Sequence, residues 1–252
     1  MSRLLKTLTA GTMLALVFSA AAPAVALDDQ QKKEMGAFIR DYLLQNPEIL
    51  LEVQDALQAK QQSERDQQST KAIAQNKEKI FSSPTDITLG NPKGDVTVVE
   101  FFDYNCGFCK RALSDMENII AKDKNIRFVL KEFPILGPDS VAAHRVADAV
   151  RIVAPKSYGE FHSTLMRQAH ASEASAMAVA TSLGISDAAI RKSMAENPND
   201  DVVKQAYDLA NAIGITGTPT YIVGDEAVFG AQGLDVLVPK IANVRACGKA
   251  TC

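Results

Sequence analysis

Two cysteines three residues apart, in the run Cys106-Gly107-Phe108-Cys109, carry the clearest chemistry in this 252-residue chain. In thiol–disulfide exchange a thiolate attacks a disulfide sulfur and passes through a mixed disulfide. A cysteine at a helix N-terminus meets unpaired backbone N–H groups and the positive end of the helix dipole, and both favour its thiolate. A spacing of three brings both sulfurs to one helical face. Cys106, at the very start, is expected to be exposed and to attack; Cys109, one turn in, is expected to be buried and to resolve the mixed disulfide. A purely structural bond is the weaker reading, because a tight loop strains it and makes it reducible. Glu100, inside the apolar run Val98-Val99-Glu100-Phe101-Phe102, is a candidate buried carboxylate that relays the proton of Cys109; the alternative is a strand-end residue facing solvent. Thr218-Pro219 offers an X-Pro bond that a tight turn can hold cis, which sets the Thr218 backbone to pair with an extended substrate strand. The second cysteine pair, Cys247 and Cys252, is expected to close a separate non-catalytic disulfide, with a redox relay between the pairs as the functional alternative. Zinc on two close pairs is the competing reading of four cysteines, and an oxidising compartment favours disulfides.

The elements that must position these groups are legible as texture. Val96 to Phe102 is a strand buried on both faces, a helical pattern with Leu113, Met116 and Ile120 follows Cys106, and Ile126 to Phe133 reads as the next strand. The redox pair therefore stands at the helix start of a βαβ unit. Ile87 to Leu89 reads as a short strand before it. From Asp139 to Ile213 the chain is Ala-rich and helical, broken at Ala154-Pro155, Leu183-Gly184 and Asn197-Pro198. Strand texture returns at Thr220 to Val223 and, past a turn at Gly224-Asp225-Glu226, at Ala227 to Phe229. Leu234, Leu237, Ile241 and Val244 mark a last helix with Pro239 near its first turn.

Upstream, Met35, Phe38, Ile39, Tyr42 and Leu43 form an amphipathic stripe over Gln30 to Gln45. Asn46 then serves as N-cap of a second helix with Pro47 at its first position. Gln58 to Lys79 is polar throughout and lacks Gly and Pro, so it reads as a solvated helix or a flexible spacer. Residues 1–26 read as a secretory signal peptide: Arg3 and Lys6, an apolar run from Leu8 to Phe18, and cleavage after Ala24-Val25-Ala26. Export to the periplasm follows, with no membrane attachment after cleavage. The remaining 226 residues carry 25 Lys and Arg against 30 Asp and Glu, which excludes a basic nucleic-acid surface. His144, His162 and His170 stand at no motif spacing and read as core or surface residues. Lys131, in an apolar strand, is expected to pair with Glu100 or Glu132 or to reach solvent.

The run Val99-Glu100-Phe101-Phe102-Asp103-Tyr104-Asn105-Cys106-Gly107-Phe108-Cys109, the helical insertion and Gly217-Thr218-Pro219-Thr220 together resemble the DsbA-like branch of the thioredoxin superfamily over residues 85–245. The resemblance implies an α/β thioredoxin fold with an inserted helical domain, a nucleophile at Cys106, a resolving Cys109, a buried acid at Glu100, and a cis-proline at Pro219 with Thr218 facing the pair. Gly107, Phe108 and Thr218 are then the expected substrate contacts. Asp41-Tyr42-Leu43-Leu44-Gln45-Asn46-Pro47-Glu48-Ile49-Leu50 resembles the arm of the suppressor-of-copper-sensitivity C proteins, in which such an arm builds a trimer with isomerase activity. The expected organisation is signal peptide 1–26, helical arm 27–80, thioredoxin domain 81–138 and 214–246, inserted helices 139–213, and a cysteine-bearing tail 247–252. The strongly oxidising relatives place Pro-His between the cysteines, where His stabilises the thiolate. Gly107-Phe108 supplies no side-chain donor and tilts the expectation toward an isomerase or reductase. The expected function is exchange of disulfides with cysteine-bearing protein substrates, reset by a redox partner, in a homo-oligomer and without cofactor or metal. The alternatives are a monomeric DsbA-type dithiol oxidase and a copper chaperone holding Cu(I) on the two thiolates.

Overall fold

A computed structural model describes residues 28–252; the expected signal peptide lies outside the described residues. By their contacts they form two units, one ending at Leu57 and one spanning Gln58–Cys252.

In the first unit, α1 (Asp29–Gln45) opens with a capping box. The Asp28 carboxylate accepts the Gln31 N–H at 2.8 Å and the Gln31 side chain accepts the Asp28 N–H at 3.0 Å. Asn46 does not cap the second helix as expected. Its backbone N–H and its side-chain amide both donate to the Tyr42 carbonyl, at 2.9 and 2.8 Å, so it closes α1 instead. α2 (Glu48–Gln75) then starts after Pro47. The apolar stripe is exposed in the single chain: Phe38 is 69% accessible, and Met35, Tyr42, Leu50, Val53 and Leu57 are exposed with it.

The second unit is built on a five-stranded sheet. Its strands are β1 (Ile87–Gly90), β2 (Val96–Phe102), β3 (Ile126–Glu132), β4 (Thr220–Val223) and β5 (Glu226–Phe229), in spatial order β1-β3-β2-β4-β5. Only β2 and β3 run parallel, joined through α4 (Gly107–Lys122); every other neighbour is antiparallel. Side chains alternate across a strand, so β2 serves two cores. Val98 and Phe102 join Phe128, Tyr221 and Val223 under Leu113 and Met116 of α4 and Ile241 of α10 (Leu234–Cys247). Val99 and Phe101 join Val129 and Ile222 on the other face. That second face is covered by Ala72 and Ile73 of α2, Ile80 of α3 (Lys77–Phe81), and Leu209 and Ile213 of α9 (Asp200–Ile213).

The polar stretch after Gln58 is therefore neither solvated all round nor a loose spacer at its end. Ser69, Ala72, Ile73 and Ile80 are buried, and the second unit begins at Gln58 rather than after residue 80. The insertion holds α5 (Pro138–Val153), a 3-10 turn (Pro155–Ser157), α6 (Tyr158–Met166), α7 (Glu173–Ser182), α8 (Asp187–Glu196) and α9. Its final helix, α9, packs on the sheet as a layer.

Two smaller expectations shift. Pro239 stands inside α10, past the first turn. Lys131 meets neither Glu100 nor Glu132: it pairs with buried Asp86 and donates to the Lys79 carbonyl at 2.7 Å. Lys131 and Phe101 are register partners on one face, while Glu100 and Glu132 point to the opposite one, beyond its reach. The β4–β5 turn needs Gly224, whose φ is +59° and whose added Cβ would lie 2.6 Å from Val244.

Candidate active site

The connection from β2 to α4 is four residues long, Asp103 to Cys106, and its short polar side chains at Asp103 and Asn105 hold it. Buried Asp103 accepts from the N–H of Asn105 (2.8 Å), the N–H of Leu136 (2.9 Å) and the Ser140 hydroxyl (2.7 Å). Asn105 donates to the Ala171 carbonyl and accepts the Ala171 N–H, both at 2.8 Å. Lys110 donates to the carbonyls of Gln168 and Ala169 at 2.7 and 2.9 Å. The helix start is thus tied to the insertion on both sides of the cysteines. Sequence reasoning assigned no task to Asp103 and Asn105; short Asx side chains in a strand-to-helix connection, which bond nearby backbone, were the available signal.

Cys106 is the N-cap of α4, and its sulfur accepts the Cys109 N–H at 3.4 Å. Cys106, expected to be exposed, is buried at 6% accessible under the Thr218 loop, and Cys109 at 0% is buried as expected. Both are free thiols. The Thr218–Pro219 bond is cis, and the Cys106 thiol lies 3.1 Å from the Thr218 carbonyl. The Thr220 hydroxyl donates to the Gly217 carbonyl at 2.8 Å and braces this loop.

The two thiols differ sharply in acidity. Hydrogen bonding from the Cys109 thiol, with further help from the Thr218 side chain and the N–H groups of Cys109 and Phe108, brings Cys106 down to about 5 against the opposing effect of its burial. Cys109 moves far above the usual thiol range, mainly through burial, then through its bond to Cys106 and the nearby charge of Glu100. The missing donor between the cysteines is thus replaced by the partner thiol and by the helix start itself.

Glu100 does not reach solvent. It is 3% accessible and faces Tyr221 across the β2–β4 ladder. Burial pushes its carboxyl up to about 8, partly offset by a hydrogen bond with Tyr221 and reinforced by Cys106 and Asp115. Gly107 and Phe108 are exposed at the helix start, with the Arg111 guanidinium 4.3 Å from the Phe108 ring centre. Beside them a groove of about 350 Å³ is lined by Phe108, Thr218, Pro219, Phe229 and Gln232.

Two of the three histidines are buried behind the site. The Tyr104 hydroxyl lies 3.0 Å from that of Tyr158 and 3.3 Å from His162 Nδ1, and His144 Nδ1 stands 3.5 Å from Glu132. Burial holds His162 at about 3, hence neutral. His170 is exposed and 2.8 Å from Asp139. Cys247 and Cys252 are joined by a disulfide away from the free thiols. Among the described residues no group of three or more His, Cys, Asp or Glu side chains converges as a metal site, and no helix is long and apolar enough to cross a membrane.

Comparison with known proteins adds two family matches. Residues 97–242 match the DSBA-like thioredoxin domain, and residues 31–64 match the copper resistance protein ScsC N-terminal domain. A thioredoxin-like oxidoreductase from Silicibacter pomeroyi DSS-3 is 36% identical, with a TM-score of 0.65 over 68% of this chain and 99% of that one. The thiol-disulfide exchange protein alpha-DsbA2 from Wolbachia pipientis is 30% identical, with a TM-score of 0.67 over 71% and 97%. Proteus mirabilis ScsC in a transitional conformation is 27% identical, with a TM-score of 0.62 over 87% and 99%. Among curated proteins, the Na(+)/H(+) antiporter NhaA 3 of Salinispora tropica is 23% identical over 167 residues; the chain spans about a quarter of that relative's length.

Proposed function

Because the chain belongs to the DSBA-like thioredoxin domain family, and so to the thiol–disulfide oxidoreductases of the DsbA and ScsC type, we propose that it is an exported protein disulfide isomerase working through Cys106 and Cys109. The observation that carries this reading is the free thiol of Cys106 at the start of α4, accepting the Cys109 N–H and lying 3.1 Å from the Thr218 carbonyl before the cis-proline.

In the proposed reaction the Cys106 thiolate attacks one sulfur of a substrate disulfide. A Cys106–substrate bond forms, the substrate bond breaks, and the second substrate sulfur leaves as thiolate. If another substrate thiolate then attacks the mixed disulfide, Cys106 is released unchanged and the substrate has isomerised without net redox change. If Cys109 attacks instead, it first gives its proton to Glu100, whose carboxyl near 8 keeps an ionised fraction at neutral pH. The products are a reduced substrate and a Cys106–Cys109 disulfide, which a redox partner must reduce. Thr218 presents its carbonyl to an extended substrate backbone, and Gly107, Phe108 and Pro219 line the approach.

Isomerisation is favoured over simple oxidation by the ScsC N-terminal match and by the exposed stripe of α1 and α2. A stripe this apolar suits contact with other copies, and several sites around one space raise the effective concentration of a held substrate. Export is supported by the signal-like residues 1–26 and by the Cys247–Cys252 bond, which suits an oxidising compartment. The test is refolding of a scrambled disulfide protein by the chain lacking residues 1–26. Recovery of native pairing under a glutathione buffer is expected. Dithiol oxidation without any unscrambling would put the monomeric oxidase ahead.

A further inference from the structure

Helices usually place acids in their first turn, where they meet the positive end of the dipole. α4 has no acid there, and Lys110 and Arg111 follow directly on Cys109. Lys110 is tied to the Gln168 and Ala169 carbonyls, whereas Arg111 is exposed. The Gly107-Phe108 dipeptide carries no charge, and on the insertion side Asp139 is taken by His170 at 2.8 Å.

Arg111 stands three residues from Phe108 and four from Gly107, so the three share one helical face. Its guanidinium carbon lies 4.3 Å from the Phe108 ring centre, and a Cβ built on Gly107 would lie 3.8 Å from one of its terminal nitrogens. The cation is therefore folded back over the residues that separate the two cysteines. The ring holds the guanidinium by its face, which leaves the N–H groups along the edge of the plane to meet a carboxylate. Arg151, Arg167, Arg191 and Arg245 each pair with an acid; among the described residues Arg111 pairs with none, the half-buried Asp115 one turn on included.

We propose that Arg111 is a specificity-determining residue that draws the site to disulfides whose cysteines are flanked by carboxylates. This rests on the proposed action on protein disulfides and names the class preferred. A carboxylate beside the substrate cysteine meets a planar cation already oriented on Phe108, and a lysine in that place meets like charge. The effect acts as the disulfide is brought to Cys106, so it belongs to the second-order rate of exchange and weakens with salt.

The test follows reduction of two peptide disulfides, the homodimers of Glu-Cys-Glu and Lys-Cys-Lys with blocked ends, by the reduced chain lacking residues 1–26. Each turnover oxidises the Cys106 and Cys109 thiols to a disulfide, and their two protons and two electrons leave with two peptide thiols, read by acid quench and chromatography. Each rate is divided by that of dithiothreitol, an uncharged dithiol, on the same peptide, so the intrinsic reactivity of the peptides cancels. At low ionic strength the unaltered chain should favour the acidic peptide. Arg111→Gln should lower that preference by at least about fivefold, and Arg111→Glu further. High salt should lower it in the unaltered chain as well, and this series decides the matter should a variant fail to fold. A smaller fall in Arg111→Gln, or a preference that persists in high salt, overturns the inference. Equal exchange of both peptides by the unaltered chain overturns the selection alone; exchange of neither overturns the reaction on which it rests as well.

Discussion

Cys106 and Glu100 sit close together yet pull the pH dependence of the reduced protein in opposite directions. The Cys106 thiol is lowered from the usual 9 to about 5, so its contribution to stability is present at high pH and is lost as pH falls through about 5. Glu100 is raised from 4.5 to about 8, so its contribution is complete below 4.5 and is lost as pH rises through 8. Glu100→Gln should therefore stabilise the reduced protein at pH 8, by an amount on the order of several kcal/mol, and change little at pH 4. Thermal melts at the two pH values check it; equal shifts at both would contradict the buried, protonated carboxyl. The same variant should slow release of the mixed disulfide through Cys109 while sparing the first attack. For the thiols, alkylation of Cys106 should follow a midpoint near 5, with Cys109 unlabelled in the folded protein. Cys106→Ser should abolish exchange and Cys109→Ser should accumulate mixed disulfides. Faster labelling of Cys109 would reverse the assignment of the two roles.

At the scale of elements, α2 serves two ends. Its first turns carry exposed Leu50, Val53 and Leu57, and its last bury Ala72 and Ile73 against the sheet. A truncation at residue 80 would strip Ile73 and Ile80 from that core, and each fully buried side chain of this size is worth about 2–5 kcal/mol on removal to Ala. Removal of residues 28–57 is the cut that leaves the second unit whole. The expected product is a soluble monomer that exchanges small dithiols but no longer unscrambles a protein substrate. Light scattering on both forms reads the first outcome and scrambled-protein refolding the second. An unchanged mass and unchanged isomerisation would leave the apolar stripe without a task.

At the scale of the whole molecule, the sheet separates two chemistries. One face carries the cysteines, Glu100 and the aromatic–histidine cluster; the other carries the Lys131–Asp86 pair under α3 and α9. Lys131→Met would leave the Asp86 carboxylate buried without its cation, a loss of about 3–5 kcal/mol. Replacing Asp86 as well, by Leu, should return much of it. Denaturant unfolding of the single and double variants measures the difference. Rates at Cys106 should stay within about twofold in the folded single variant, since the pair lies across the sheet.

The residues 96–133 show what sequence alone determines here. A continuously apolar run, a CxxC and an amphipathic helix leave little choice but a strand, a helix start and a next strand, because the period of burial is written in residue type. The redox pair, the insertion and the strand pair at 220–229 were legible for the same reason. Glu100 was legible only as an anomaly, a carboxylate where burial demands a partner. That partner, Tyr221, is 121 positions away and becomes its neighbour only through the β2–β4 register. Lys131 shows the complementary failure: the nearest acids in sequence were named, yet strand alternation turned them to the other face and Asp86 took the pair. The polar helix after Gln58 misled likewise, since four small or apolar residues among many charges suffice once a sheet face is offered to them. The acidity of Cys106 belongs to the tertiary structure as well. Its stabilising groups come from a helix start and from a loop 112 residues later, and only folding brings the Thr218 loop to the sulfur.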